Sequence, residues 1–134
     1  MRGQIHHLDL TVRDLARSKP FYDLVLGFLG YRCLKSTDEI AVWSLALPDG
    51  VAEFAIRRAH RSREHDRYTP GLHHLAWSAD SRQDVDGLHR RLVEAGVTVL
   101  DPPAPYPQYG TGYYAVFFAD PDGLKLEYVH YTGT

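Results

Sequence analysis

The strongest constraint on the fold is that the chain writes one pattern twice. His7-Leu8-Asp9-Leu10-Thr11-Val12 and His74-Leu75-Ala76-Trp77-Ser78-Ala79 each open on a histidine and then alternate in polarity. Each run is followed by a helix-like stretch and later by a hairpin whose second strand carries a glutamate, Glu53 in the first half and Glu127 in the second. Successive side chains of a strand point to opposite faces, so the alternation predicts two strands with one apolar face each. Leu8, Leu10, Val12, Leu75, Trp77 and Ala79 are expected to pack under helices. His7, Asp9, Thr11, His74, Ala76 and Ser78 take the other face. The same parity selects His7 over His6 and His74 over His73, and sends each neighbour away from the site.

The rest of each half follows one order. In the first, residues 14–27 read as a helix with Phe21, Leu24 and Val25 as the buried stripe and Gly27 as the stop. Pro20 belongs in a first turn, which makes Ser18 the expected cap. Strands are expected at 31–36, 40–47 and 51–57, with Pro48-Asp49-Gly50 turning between the last two. In the second half, 72–79 is a strand and Ser81-Arg82-Gln83-Asp84 has capping-box spacing. Val85, Leu88, Leu92 and Val93 form the helix stripe before Gly96. Strands at 97–100, 113–119 and 124–131 complete it, the last two around Pro121-Asp122-Gly123. The expected fold class is α+β: two β-α-β-β-β modules, 1–58 and 71–134, joined by a polar connector, 59–70, within a single domain. Each module leaves a sheet face uncovered. The expected solution is one curled eight-stranded sheet around a metal-binding groove, with the helices outside.

Charge and composition exclude several classes. Lys and Arg total 15 against 17 Asp and Glu, a net charge of −2, and no segment concentrates enough cations for nucleic acid. The most basic run, Arg57-Arg58-Ala59-His60-Arg61-Ser62-Arg63, is followed by Glu64 and Asp66 and reads as a solvated connector. No apolar run reaches the roughly 18 residues of a membrane helix, and the N-terminus has no signal-like segment. The single cysteine, Cys33, forms no intrachain disulfide and is expected as a buried structural thiol, which makes the cytoplasm the expected compartment.

The chemistry concentrates in His7, His74, Glu127 and Glu53. Imidazole and carboxylate together suit one divalent metal per site, Zn, Ni, Fe, Mn or Co. Glu127 lies among apolar residues in Leu124-Lys125-Leu126-Glu127-Tyr128-Val129, and a carboxylate there needs a partner. Glu53 follows Gly50 by three residues, whereas Glu127 follows Gly123 by four. One residue reverses a strand's facing unless the turn or a bulge absorbs it. Glu53 is therefore either a fourth ligand or the partner of a nearby arginine. Further along, residues 101–112 hold four prolines, two glycines and the tyrosines Tyr106 and Tyr109. Such a loop is stiff and suits an aromatic or flat apolar ligand, or else packs on itself. Tyr113 and Tyr114 follow on opposite faces, and Lys125 shares the strand parity of Glu127. Tyr109, Tyr113, Tyr114 and Lys125 are the candidate substrate-binding residues.

The chain resembles the vicinal oxygen chelate superfamily, which includes glyoxalase I, fosfomycin and bleomycin resistance proteins and extradiol dioxygenases. The resemblance runs through residues 7–14, Phe21-Tyr22-Asp23-Leu24-Val25-Leu26-Gly27-Phe28, Gly71-Leu72-His73-His74-Leu75-Ala76 and Phe118-Ala119-Asp120-Pro121-Asp122-Gly123-Leu124-Lys125-Leu126-Glu127. It implies that His7, His74 and Glu127 are the recurring metal ligands, that Glu53 lies near the fourth, and that Glu127 or Glu53 shuttles a proton. It implies chelation of adjacent oxygens on a small substrate for lyase or isomerase chemistry, in a homodimer with shared metal sites. A metal-free drug- or metabolite-binding protein is the alternative class, with thiol transfer and extradiol cleavage as other enzymatic outcomes.

Overall fold

The computed structural model describes residues 2–133. The chain divides into two compact units, Met1–Glu64 and His65–Thr134, with the division inside the expected connector. In the first unit the elements are β1 (His7–Val12), α1 (Leu15–Phe28), β2 (Arg32–Ser36), β3 (Ile40–Leu47) and β4 (Gly50–Arg58). In the second they are β5 (His74–Ser78), α2 (Arg82–Glu94), β6 (Val99–Pro105), a 3-10 turn (Pro107–Tyr109), β7 (Tyr114–Ala119) and β8 (Lys125–His130). The β-α-β-β-β order is present in both.

The single curled eight-stranded sheet around a groove is not what the strands form. Their ladders resolve into two separate four-stranded sheets, ordered β1-β4-β3-β2 and β5-β8-β7-β6. Closing a sheet requires the terminal strands to pair, with matched tilt and stagger. Here each ladder ends at its own edge strands, β1 and β2 in one sheet and β5 and β6 in the other. Within each sheet the first strand runs parallel to the fourth, which places the histidine-bearing strand beside the glutamate-bearing one.

Each helix packs on its own sheet, α1 against β2, β3 and β4, and α2 against β6, β7 and β8. In the first unit Val12, Tyr22, Val25, Leu26, Trp43, Phe54 and Ile56 are buried. Tyr22 stacks on Phe54 with ring centroids 5.3 Å apart, and the Trp43 Nε1 donates to Asp23 Oδ1 at 3.0 Å. In the second unit Val85, Leu88 and Leu92 meet Val116, Phe118 and Leu126 in the core. Ser81 caps α2 as its spacing predicts, accepting from the Asp84 N–H at 3.0 Å, and Asp84 in turn accepts from the Tyr128 hydroxyl at 2.6 Å.

Three local expectations fail for physical reasons. Helix α1 starts a turn earlier than Pro20 suggested: Asp14 is the cap, accepting from the Arg17 N–H at 3.2 Å, and Ser18 is buried inside the helix. Burial of the Phe21, Tyr22, Val25 and Leu26 face holds the helix through the proline. The proline-rich segment is not wholly a loop, because β6 extends through Pro105. β6 is an edge strand with shifted register, where missing N–H groups cost no ladder bond. Cys33 is exposed rather than buried, because all five residues of edge strand β2 are exposed.

Candidate functional site

In the second unit the site is built on β5 and β8. Their parallel register sets His74 opposite Lys125 and Ala76 opposite Glu127. His74, Ala76 and Glu127 therefore share one face of the sheet. Glu127 is only 2 % exposed, and each of its oxygens has a polar neighbour. The Tyr113 hydroxyl donates to Oε2, and His74 Nε2 lies 3.4 Å from Oε1. Burial, and then the hydrogen bond to Glu127, raise the pKa of the Tyr113 phenol, so it stays a donor.

Among the described residues no lysine or arginine forms an ion pair with Glu127. A buried carboxylate whose neighbours are a phenol and an imidazole matches the donor chemistry that a divalent cation takes. Among those residues, however, no group of three or more His, Cys, Asp or Glu side chains is gathered closely enough to hold one. The donor pair fits a metal, and the full ligand set is not assembled.

The first unit presents the corresponding pair differently. His7 stands directly opposite Glu53 in the β1–β4 ladder, so the two share a face. The one-residue discrepancy after the glycines does not reverse Glu53. Two residues, Pro48 and Asp49, join β3 to β4, whereas five residues, 120–124, join β7 to β8. The longer loop absorbs the difference. As a result Lys125, not Glu127, stands opposite His74 where Glu53 stands opposite His7.

The aromatic candidates separate into two groups. Tyr109 stacks on Tyr106 with centroids 5.7 Å apart and meets Tyr113 edge-on at 5.4 Å, while Tyr113 also contacts Tyr131 at 5.3 Å. These four rings form a wall next to Glu127. Gly110 permits it: a Cβ there would lie 2.6 Å from the Tyr131 ring. Tyr114 faces the other way, its hydroxyl bound to Asp86 of α2 at 2.6 Å and the Arg82 guanidinium 4.9 Å over its ring. Lys125 Nζ lies 4.6 Å over the Phe117 ring.

Two local features beside the candidate site escaped the sequence reading. Parity assigned His6 and His73 to the opposite faces, yet their Nδ1 atoms lie 3.0 Å and 2.8 Å from the Nδ1 atoms of His7 and His74. Both first histidines precede their strands, where strict alternation no longer applies. Asp120 is the second. It is 5 % exposed and accepts from the backbone N–H groups of Asp122 and Leu124, both at 2.9 Å, which fixes the loop entering β8. The basic run behaves as a solvated surface. Arg57 pairs with Asp9 and Arg58 with Glu39, each at 2.5 Å, beside a cleft of about 390 Å³.

Comparison with known proteins is consistent with this architecture. The chain is 33 % identical over 130 residues to the uncharacterized Bacillus subtilis protein YqjT, covering 93 % of this chain and 97 % of that one. It is 31 % identical over 129 residues to catechol-2,3-dioxygenase of Bacillus subtilis, but spans only 40 % of that protein's length. A solved structure from Bacillus halodurans superposes with a TM-score of 0.82 at 30 % identity, covering 97 % of both chains. A glyoxylase/bleomycin resistance protein/dioxygenase domain from Frankia sp. EAN1pec superposes with a TM-score of 0.71 at 28 % identity, covering 97 % of this chain and 98 % of the other. The Glyoxalase/Bleomycin resistance protein/Dioxygenase superfamily model matches residues 4–128, and the chain belongs to that superfamily.

Proposed function

We propose that the protein is a divalent-metal-dependent enzyme that binds a small substrate through two adjacent oxygens and moves a proton on it. The observation that carries this reading is Glu127: a carboxylate buried in a strand, held by Tyr113 and beside His74. His74 and Glu127 would supply two ligands, and His7 and Glu53 two more. Each unit thus carries one His/Glu pair, and a homodimer with shared metal sites is part of the proposal. Bound there, a Zn, Ni, Fe, Mn or Co ion would act as a Lewis acid on the substrate oxygens.

The chain's own residues account for the remaining steps. Glu127 takes the substrate proton on the oxygen that the imidazole of His74 approaches. Tyr113 holds the other oxygen, fixing the carboxylate's orientation and opposing its withdrawal from the site. Glu53, on the same face as His7, is the alternative proton carrier from the first unit. Tyr109 and Tyr113 line the aromatic wall, and Lys125, on the sheet face of Glu127, completes the proposed substrate contacts, whereas Tyr114 is turned to Asp86 of α2 and lies outside them.

The tyrosine wall favours a second reading within the same superfamily, a substrate with an aromatic ring, as the similarity to catechol-2,3-dioxygenase suggests. A turnover screen with Mn²⁺, Ni²⁺, Zn²⁺ or Fe²⁺ tests both. Its substrates are 2-oxoaldehyde–thiol adducts, epoxides with thiols, and catechols. Turnover of one class that disappears in Glu127→Gln supports the proposal. Turnover unaffected by Glu127→Gln overturns the role given to Glu127, and tight binding of a ligand with no metal present and no turnover supports a binding protein instead.

A further inference from the structure

We propose that the cleft where β4 runs into the connector is a binding site for the phosphoryl group of a small molecule. The cleft measures about 390 Å³ and is lined by Thr11, Glu39, Arg57, Arg58, His60 and Arg61, all from the first unit. That volume lies within the range of small-molecule sites. Backbone bonds fix its walls. The Ala59 N–H donates to the Val12 carbonyl at 2.9 Å, and the Arg58 N–H donates to the Glu39 carbonyl at 3.0 Å. The chain leaving β4 is therefore pinned up to the residue before His60. Thr11 stands directly opposite Arg57 in the β1–β4 ladder, which sets both side chains on one face of the sheet.

The three arginines are not equivalent. Arg58 is spent on Glu39, which it holds through Nη2 at 2.5 Å and Nε at 3.4 Å. That pairing also occupies the one carboxylate that lines the cleft. Arg57 gives only its Nε to Asp9, at 2.5 Å. The bond anchors the guanidinium and leaves both terminal nitrogens without a partner among the described residues. Arg61 forms no ion pair among those residues. Three arginines against Asp9 and Glu39 leave one net positive charge, with His60 neutral. A neutral imidazole still offers one N–H, and Thr11 adds a hydroxyl. Four separate donor groups exceed what the two oxygens of a carboxylate use, and they match the three oxygens and higher charge of a phosphoryl group. His7 and Glu53 lie on the same sheet face four residues back along each strand, about 13 Å away by strand rise. The phosphoryl site is thus separate from that pair and stands independently of the metal reading.

The test is a titration of ¹⁵N-labelled full-length protein with phenyl phosphate, and separately with benzoate, followed by ¹H–¹⁵N spectra of the backbone and arginine Nε–H groups. Chelator is present throughout, so that no bound cation takes the anion, and physiological salt screens general attraction between charges. Phenyl phosphate is expected to saturate one site, shifting the signals of Thr11, Arg57, His60 and Arg61, and to bind more tightly than benzoate. Arg61→Ala is expected to weaken it about 10-fold, and Arg61→Lys, which keeps the charge and loses the planar fork, to recover part of that loss. Arg61 is exposed and unpaired, so its removal leaves the fold intact by circular dichroism. Arg90→Ala makes the same charge change on the exposed surface of α2 and is expected to leave binding unchanged. No saturable binding of phenyl phosphate, full affinity in Arg61→Ala, or an equal loss in Arg90→Ala overturns the site. Benzoate binding as tightly as phenyl phosphate overturns its assignment to a phosphoryl group. None of these outcomes bears on whether His7, His74 and Glu127 hold a metal, which the metal titration reads separately.

Discussion

Glu127 is costly to bury, and its neighbours show how the chain tolerates it. Tyr113 satisfies one oxygen, and the imidazole of His74 approaches the other. Tyr113→Phe deletes a donor to a buried charge and is expected to destabilise the metal-free protein by about 1–3 kcal/mol, measured by urea unfolding. The alternation in the sequence identified the strand face of His74, and burial of Glu127 was legible from its apolar neighbours. The partner of Glu127 was not. Tyr113 and Tyr114 are adjacent in sequence, and only the packing of Tyr114 against Asp86 and Arg82 of α2 decides which of the two reaches the carboxylate. The histidine pairs were missed for a related reason. Strand parity was applied one residue beyond the strand, where the backbone is free to bring both rings to the same side.

The two hairpins explain why a repeated sequence does not give a repeated site. A two-residue connection sets Glu53 opposite His7, and a five-residue connection sets Glu127 opposite Ala76. Asp120 holds the longer connection through two backbone N–H groups. Asp120→Ala leaves both without that acceptor and is expected to cost about 1–3 kcal/mol of stability by urea unfolding. It should also weaken the His74–Glu127 pairing, visible as changed His74 ring chemical shifts. In α1 the exposed Pro20 interrupts the backbone ladder of a helix capped at Asp14. Pro20→Ala restores an N–H to that ladder and is expected to raise stability by about 1–3 kcal/mol, read as a higher unfolding midpoint. Element order was legible because period and punctuation are local. Register was not, because it depends on connection length and loop hydrogen bonds that polarity patterns do not encode.

Across the chain, the duplicated pattern produces two units with one topology and two separate four-stranded sheets, not one closed sheet. Local alternation specifies which face of each sheet is polar. It carries no information about whether the edges of the two sheets pair. Among the described residues no helix is long and apolar enough to cross a membrane. The proposal that remains is that each unit contributes one His/Glu pair to metal binding. The most direct test is metal content after purification without chelator, combined with titration of the stripped protein, for the wild type, His7→Ala, His74→Ala and Glu127→Ala. The account predicts about one divalent metal per chain in the wild type and loss of most of it in each variant, with the fold retained by circular dichroism. Full metal occupancy in His74→Ala or Glu127→Ala, or no binding of any divalent metal by the folded wild type, would contradict it.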